Sequence, residues 1–324
     1  TGMPEGVFSA LNLSNDQSVR LVQHTAIKAV GFTGSRKVGM TLFNAAAKRP
    51  EPIPVYAEMS AINPVILMEE ALKVKGEAIA KGLAGSVTMG AGQFCTNPGL
   101  VLLIESEAGK LFLNHFVQHL GATEPATMLN KTICQSYIKG IEITKTISGV
   151  HVLAEGIKLA NDERNEARPI AFTVSADDFL SNKQLNEEVF GPVTLFVLVK
   201  DTTQLHLVLN QLEGQLTATV HAEPEDKSNL IPVIDIIAQK AGRVIYNGFP
   251  TGVEVCHSMQ HGGPFPSTTD GRSTSVGTAA IYRFLRPVAY QDIPDELLPA
   301  ALQNSNPLSI LRLIDGSWKT DLIP

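Results

Sequence analysis

One cysteine of this sequence has the surroundings of a nucleophile. Cys95 lies in the glycine-rich segment Gly90-Ala91-Gly92-Gln93-Phe94-Cys95-Thr96-Asn97-Pro98-Gly99, between two apolar stretches. Glycines allow a substrate and backbone N–H groups to approach a thiol closely, and those groups favour the thiolate that performs covalent chemistry. Upstream, Glu58 follows the strand-like residues 54–57 and offers a carboxylate as a general base. The pair predicts covalent catalysis by a thiol.

A strand, a turn and a helix precede this pair in the order of a phosphate-binding unit. Residues 28–33 are strand-like, Gly34-Ser35 is a tight turn, and residues 36–48 have one apolar helical face. N–H groups in the first turn of a helix lack partners and carry partial positive charge. Gly34 and Ser35 are therefore candidate contacts for a cofactor pyrophosphate, and a Gly-Ser turn is equally an ordinary helix N-cap.

The rest of the chain continues to alternate between strands and helices. Apolar runs predict strands at residues 65–68, 101–104, 193–199, 216–220 and 243–246, with helices near residues 76–88, 205–212 and 228–240. This alternation favours an α/β fold with a mostly parallel sheet and helices on both faces. Residues 247–277 are rich in Gly, Pro, Ser and Thr, as functional loops are. Asp315-Gly316 predicts a C-terminal hairpin that pairs subunits.

Composition argues against several classes of protein. The chain has 324 residues, 44% of them hydrophobic, which predicts about two domains. A net charge of -6 without a dense Lys/Arg run argues against nucleic-acid binding. No apolar run reaches the roughly 18 residues of a membrane span, and no cationic-apolar leader opens the sequence, so we expect a cytoplasmic protein without a membrane partner. Cys95, Cys134 and Cys256 match no metal-site or disulfide pattern.

Four motifs, in order, resemble the aldehyde dehydrogenase superfamily, and the resemblance runs through almost the whole chain. It is strongest to the branch of 2-oxoglutarate semialdehyde (2,5-dioxovalerate) dehydrogenases and NADP-dependent fatty aldehyde dehydrogenases. The first motif, Gly31-Phe32-Thr33-Gly34-Ser35, is similar to the family's cofactor turn, and Glu58 is at the position of its general base. The third motif, Gly92-Gln93-Phe94-Cys95, is similar to the nucleophile motif. The fourth motif, Glu187-Glu188-Val189-Phe190-Gly191-Pro192, is similar to the segment that contacts the nicotinamide ribose.

The resemblance implies a fold and a reaction. The fold is aldehyde dehydrogenase-like, with the C-terminal part of a Rossmann-type dinucleotide-binding domain in residues 1–60, a catalytic domain in residues 61–290 and an oligomerisation segment in residues 291–324. The reaction is oxidation of an aldehyde to a carboxylic acid with NAD or NADP, through a thiohemiacetal and a thioester on Cys95. The expected substrate is 2-oxoglutarate semialdehyde or a related aldehyde, and the expected assembly is a homodimer or homotetramer.

The resemblance also assigns roles to individual residues. Glu58 is expected to activate Cys95 or the hydrolytic water, and Ser35 to meet the cofactor pyrophosphate. Glu188 is expected to orient the nicotinamide ribose, and Phe190 to pack near the nicotinamide ring.

The residues expected to bind substrate come from the long loop. Arg272 is a cation beside this loop, where it would hold the carboxylate of a dicarboxylic semialdehyde, and Phe265 is the second candidate. His261 precedes Gly-Gly-Pro and is interpreted as a residue that shapes the loop.

Two further hypotheses come from other functional classes. A thiol hydrolase or acyltransferase needs a histidine paired with Cys95, and none of the eight histidines lies in a recognisable partner motif. A non-catalytic remnant is the other hypothesis. The family's first strands, its oxyanion-hole asparagine and its adenosine-ribose lysine have no counterpart within the sequence, so an N-terminally truncated chain is expected.

Overall fold

Strands and helices alternate along the chain, as the sequence predicts. The computed structural model describes residues 2–323, in which one compact unit ends at Arg283 and a second begins at Phe284. The helices are α1 (Asn15–Gln23), α2 (Arg36–Ala47), α3 (Glu69–Thr88), α4 (Glu107–Gly121), α5 (Lys131–Thr146), α6 (Ala176–Ser181), α7 (Thr202–Gln211) and α8 (Lys227–Lys240). The strands are β1 (Val30–Thr33), β2 (Val55–Glu58), β3 (Val65–Leu67), β4 (Leu100–Ile104), β5 (Ala126–Thr127), β6 (His151–Glu155), β7 (Glu166–Ala167), β8 (Ile170–Ser175), β9 (Val193–Val199), β10 (Gln215–His221), β11 (Ala241–Tyr246), β12 (Arg312–Ile314) and β13 (Ser317–Lys319).

The central sheet has seven strands in the order β11-β10-β3-β4-β9-β8-β6. Every neighbouring pair is parallel except β6 with β8, which is antiparallel. The prediction of a mostly parallel α/β sheet is therefore confirmed. The amino ends of β3, β4, β10 and β11 meet at one edge of this sheet, because parallel strands in register begin together.

Alternate residues of the central strands enter two separate apolar cores. Val101 and Leu103 of β4 pack with α3 and α4, whereas Leu100 and Leu102 pack in the core that includes α5, α7 and α8. Side chains on a strand point to opposite faces in turn, so a strand covered on both faces must be apolar throughout. This is why the uninterrupted apolar runs of the sequence locate these strands.

The first part of the chain forms a smaller layer. β1 and β2 pair in parallel, with Thr33 opposite Glu58, and they pack with α1 and α2 around a third apolar core. Ser35 caps α2, because its side-chain oxygen accepts a hydrogen bond from the N–H of Val38 at 3.4 Å.

Helix α3 is longer than the sequence predicts. It begins at Glu69 rather than near residue 76, and Lys75 has a non-helical backbone conformation (φ −129°, ψ 15°) that marks a kink. Glu69 and Glu70 stabilise the additional first turn, because acidic side chains are favourable at the positive end of the helix dipole.

The second unit contains the antiparallel pair β12 and β13, so the predicted C-terminal hairpin is confirmed. Asp315 and Gly316 connect its strands with positive φ angles of 48° and 77°. None of the helices in residues 2–323 is both long enough and apolar enough to cross a membrane.

Candidate active site

The Cys95 loop is shaped by three consecutive left-handed residues. The 3-10 turn Met89–Gly92 follows α3, and Gly90, Ala91 and Gly92 have φ angles of 56°, 56° and 66°. A Cβ atom at position 92 would lie 2.2 Å from the carbonyl carbon and oxygen of Gly191. Glycine is therefore required at position 92, and its absence of a side chain lets the nucleophile loop contact the 187–192 segment.

A buried asparagine holds this loop in place. The side-chain amide of Asn63 donates to the carbonyl oxygens of Cys95 at 2.9 Å and Asn97 at 3.0 Å. Its own oxygen accepts from the N–H and the hydroxyl of Thr217. Asn63 is fully buried and has a left-handed φ of 45°, a conformation that asparagine tolerates better than most residues. The loop is thus fixed to the amino edge of β10.

Cys95, Glu58 and His261 form one compact cluster. The Nε2 atom of His261 lies 3.3 Å from the Cys95 sulfur and 3.1 Å from Oε1 of Glu58. One polar atom from each of the three residues lies within 4.8 Å of the others. Both His261 and Glu58 are only 3% exposed, so their interactions occur away from bulk water. These donors also suit a soft metal such as zinc, which would compete with any chemistry at the thiol.

The hydrogen bonds favour one protonation state of this cluster. A carboxylate only accepts hydrogen bonds, so Nε2 of His261 carries the proton in its bond to Glu58. Nδ1 of His261 is buried and has no hydrogen-bond partner among residues 2–323. A bare nitrogen fits that position better than a second N–H, which would be left unsatisfied. Nε2 of His261 is therefore the donor in the bond to Glu58.

The pKa values of Cys95 and Glu58 are shifted in opposite directions. Burial raises the pKa of the Cys95 thiol to about 12, and the negative charge of Glu58 adds to this effect. Burial also acts to raise the pKa of Glu58, but hydrogen bonds from His261 and Ser275 outweigh it and hold that pKa below its ordinary value. The resting site at neutral pH is therefore a thiol beside a carboxylate.

Ser275 is a further neighbour of the base. Its hydroxyl donates to Oε2 of Glu58 at 2.6 Å, while its backbone N–H donates to the carbonyl oxygen of His261 at 2.8 Å. The two carboxylate oxygens of Glu58 thus have separate donors, His261 and Ser275. This arrangement fixes the orientation of the carboxylate.

The predicted cofactor turn lies directly beside the base. The N–H of Gly34 donates to the carbonyl oxygen of Glu58 at 3.1 Å, as a continuation of the pairing between β1 and β2. Ser35 lines a cleft of about 1030 Å³, and Arg36 and Lys37 line it as well. The first turn of α2 contains no acidic residue. Arg36 is paired with Glu213, which also lines the cleft, at 2.7 Å, so Lys37 and the N–H groups at the start of α2 are the positive groups that the cleft offers a ligand.

Glu188 lines the same cleft. Burial raises the pKa of Glu188 to about 7, although bonds with the Ser60 side chain and the Ala61 backbone lower it in part. Phe190 is 36% exposed and lines a second cavity of about 140 Å³ together with Glu188 and the loop residue Asn97. The structure thus brings Ser35 and Glu188 to one cleft and connects Phe190 to the nucleophile loop.

The two predicted substrate-binding residues do not contact this cluster in any recorded hydrogen bond or ion pair. The Arg272 side chain is 94% exposed and forms an ion pair with Asp270 at 3.1 Å. Phe265 is 57% exposed, and the Arg36 guanidinium lies 5.6 Å from its ring centre. Arg272 is already neutralised by Asp270, which weakens the case that it holds a substrate carboxylate.

Sequence reasoning missed the role of His261. Its backbone does shape the loop, because its N–H and carbonyl bond to Thr274 and Ser275, but its ring contacts the nucleophile and the base. A histidine thus lies within hydrogen-bond reach of Cys95, although no partner motif marks it in the sequence. A histidine followed by two glycines and two prolines in residues 262–266 is the signal that could have revealed it, since such loops often carry functional groups.

Comparisons with known proteins agree with the geometry. Residues 1–286 match the sequence model of the aldehyde dehydrogenase family. The chain is 48% identical over 317 residues to alpha-ketoglutaric semialdehyde dehydrogenase 2 of Azospirillum brasilense, covering 98% of this chain and 60% of that protein. It is 45% identical, with the same coverage of both chains, to alpha-ketoglutaric semialdehyde dehydrogenase of Acinetobacter baylyi.

A solved structure has the same fold. The gamma-glutamyl-gamma-aminobutyraldehyde dehydrogenase of Burkholderia cenocepacia superimposes with a TM-score of 0.72 at 21% identity, covering 87% of this chain and 56% of that one. The chain spans 60% of the length of the two curated relatives. With a family match over most of its residues and two relatives above 40% identity, the chain belongs to the aldehyde dehydrogenase family.

Proposed function

We propose that this chain carries the catalytic centre of an NAD- or NADP-dependent aldehyde dehydrogenase that oxidises an aldehyde to a carboxylic acid. One observation carries the proposal. The Cys95 sulfur lies in hydrogen-bond reach of His261 and Glu58, and Glu58 is bonded through its backbone to the turn that lines the large cleft. A nucleophile, a base and a ligand cleft are thereby joined within one set of hydrogen bonds.

The first step is the attack of Cys95 on the aldehyde carbonyl. The thiol proton passes to Glu58, the sulfur forms a bond to the carbonyl carbon, and the carbonyl oxygen becomes an oxyanion. The Cys95 backbone N–H, which favours the thiolate, would serve as a donor to that oxyanion.

The cleft has the size and chemistry for a nicotinamide nucleotide. A volume of about 1030 Å³ is at the upper end of small-molecule pockets. Ser35 and the first turn of α2 would meet phosphate oxygens, and the Glu188 carboxylate would accept hydrogen bonds from ribose hydroxyls. A bound nicotinamide supplies the acceptor for the hydride that the thiohemiacetal carbon loses. Phe190 would pack beside that ring.

Glu58 acts again in the last step. It accepts a proton from a water molecule, whose oxygen attacks the thioester carbon, and the carbon–sulfur bond breaks to give the carboxylic acid and Cys95. Ser275 and His261 keep the carboxylate oriented during both proton transfers, because each bonds one of its oxygens.

The names of two relatives support a substrate. Both proteins above 40% identity are named alpha-ketoglutaric semialdehyde dehydrogenases. We therefore propose 2-oxoglutarate semialdehyde, or another aldehyde that carries a carboxylate, as the substrate of the protein to which this chain belongs.

The proposal predicts aldehyde-dependent formation of reduced nicotinamide that is abolished by Cys95→Ala. The matched control is Cys134→Ala, since Cys134 is buried away from the cluster and donates to a backbone carbonyl. Titration with NAD and NADP, followed by fluorescence, separates catalysis from the remnant hypothesis. Cofactor binding without any turnover of aldehydes, or no binding at all, would contradict the proposal.

The cysteine–histidine contact also favours a second candidate function. A thiol activated beside His261 and Glu58 would hydrolyse activated esters without a cofactor, as a thiol hydrolase does. The two candidates differ in the redox readout. Ester hydrolysis without any aldehyde oxidation, in protein shown to bind a nicotinamide cofactor, would favour the hydrolase.

Self-association is a further part of the proposal. The C-terminal hairpin exposes Leu313 and Trp318 by 60% and 68%, which leaves apolar side chains on a short two-stranded ribbon. Such ribbons gain stability when they pair with another chain. Light scattering of Trp318→Ser against the unaltered chain tests whether the hairpin holds a homodimer or homotetramer together.

A further inference from the structure

An arginine beside the nucleophile has no carboxylate partner. Arg243 is the third residue of β11, and its side chain is partly buried. Its Nη2 atom donates to the carbonyl oxygens of Pro250 at 2.9 Å and Gly252 at 3.2 Å. Its Nε atom is buried and has no hydrogen-bond partner in the described chain. No ion pair recorded for residues 2–323 includes Arg243, so its positive charge is not neutralised.

The strand register places Arg243 on the nucleophile side of the sheet. Arg243 is directly opposite Thr217 of β10, and paired residues of neighbouring strands project to the same face. Thr217 bonds Asn63, and Asn63 bonds the carbonyl oxygen of Cys95. The strand neighbour of Arg243 is thus bonded through Asn63 to the Cys95 loop.

The Arg243 guanidinium also contacts the long loop that carries His261. Its Nη1 atom lies 4.0 Å from the sulfur of Met259, two residues before His261. Burial lowers the pKa of Arg243, and the negative charge of a Cys95 thiolate acts in the opposite direction. The Arg243 guanidinium and a Cys95 thiolate would therefore favour each other's charged forms.

We propose that Arg243 binds the remote carboxylate of an anionic aldehyde and so directs it to Cys95, an inference that rests on the proposed dehydrogenase function. A sulfur atom is a weak acceptor, so the Nη1 group has donor capacity left for a carboxylate oxygen. An anion also supplies the missing counter-charge, which burial makes favourable. Arg272 does not meet these conditions, because Asp270 already pairs with it.

The first test compares two alkylating reagents that differ by one charge. Iodoacetate is anionic, iodoacetamide is neutral, and mass spectrometry of the Cys95 peptide gives the rate for each. We expect Arg243→Met to lower the iodoacetate-to-iodoacetamide rate ratio at Cys95 by roughly two- to tenfold, the effect of one charge several ångströms away at a high effective dielectric constant. The ratio is insensitive to changes in the thiolate fraction, because both reagents need the same thiolate.

Three controls separate the charge from a structural role. Arg243→Lys keeps the charge and should keep most of the ratio. Arg272→Met removes an exposed, paired arginine and should leave the ratio unchanged. The ratio at Cys134, which lies on α5, serves as the internal reference within each sample. An unchanged ratio in Arg243→Met, or an equal loss of rate with both reagents, would overturn the proposal.

The second test uses the holoenzyme with aldehydes of equal chain length, with and without a terminal carboxylate. Arg243→Met should lower kcat/KM for the carboxylated aldehyde by roughly 10- to 150-fold, the range for losing a hydrogen bond to a charged group, and leave the unsubstituted aldehyde little changed. A parallel loss with both aldehydes would show that Arg243 only supports the 250–252 loop. An enzyme that oxidises neither aldehyde refutes the dehydrogenase function, while the alkylation ratio still decides the role of Arg243.

Discussion

Replacing Glu58 with glutamine should make Cys95 easier to alkylate and at the same time stop aldehyde turnover. The carboxylate and the sulfur lie within the 4.8 Å limit of the cluster. At this distance and an effective dielectric constant of about 20–40, repulsion between a carboxylate and a thiolate is worth roughly 1.7–3.5 kcal/mol. That energy corresponds to about 1.3–2.5 units in the pKa of Cys95. The pKa starts at about 12, raised first by burial and then by Glu58.

The sign of this shift follows from the charge that is removed. A neutral amide no longer repels the thiolate, so the pKa of Cys95 falls and the alkylation rate at neutral pH rises by the same factor. Burial remains, so the pKa does not return to the ordinary value of a free thiol. Turnover stops because the amide accepts no proton from the thiol or from water.

The assay is the rate of iodoacetamide labelling of Cys95 as a function of pH, next to steady-state aldehyde oxidation. Glu187→Gln is the matched control, because Glu187 is an exposed carboxylate in the 187–192 segment and should leave the labelling profile unchanged. A labelling profile of Glu58→Gln that is unchanged or displaced to higher pH would refute the reasoning. Such a result would mean that Glu58 carries no charge beside the thiol.

Three other predictions concern the loop and the cleft. Asn63→Ala should lower the free energy of unfolding by about 2–4 kcal/mol in urea titrations, because several buried groups lose their partners. Gly92→Ala should lower the free energy of unfolding by about 2 kcal/mol or more, since the φ of Gly92 is 66° and the new Cβ would meet the Gly191 backbone. Gly85→Ala is the control: a Cβ at this position of α3 would meet nothing within 4 Å, so the free energy of unfolding should rise by about 0.5–1 kcal/mol. Unchanged midpoints for both glycine variants would contradict this account of the loop. Cofactor affinity should weaken as the pH falls through about 7, where Glu188 becomes protonated, and Glu188→Gln should remove that dependence in a fluorescence titration.

The sequence alone predicts those strands and helices in which burial or capping determines the residue type at several neighbouring positions. The strand Val193–Val199 is apolar at six of its seven positions, the exception being the buried Thr194, because both its faces are covered, and its predicted limits match those of the structure. The predicted limits of α2 differ by only one residue, since Ser35 is both an N-cap and the end of the turn.

The contacts that complete the site could not be predicted in this way. His261 forms a hydrogen bond with Glu58, which is 203 residues away in the sequence. The conformation of the His261 loop depends on tertiary packing rather than on a periodic pattern. Asn63 acts through an unusual backbone conformation and a long-range bond to the Cys95 loop. Arg272 has a suitable charge in the sequence, yet Asp270, two residues away, already neutralises it. Local composition contains no information on which of two arginines remains unpaired.

The backbone pairing of β1 with β2 fixes the distance between the cofactor turn and the base. Thr33 is opposite Glu58, and the Gly34 N–H bonds the Glu58 carbonyl at 3.1 Å, so the spacing of the two functions does not depend on any side chain. Side chains around the cleft can therefore diverge, and nucleotide preference with them, without moving the carboxylate. Inserting one residue in β2, in contrast, would move the carboxylate. The hydrogen bonds could re-form one step along, but the carboxylate would turn to the other face of the strand, away from Cys95.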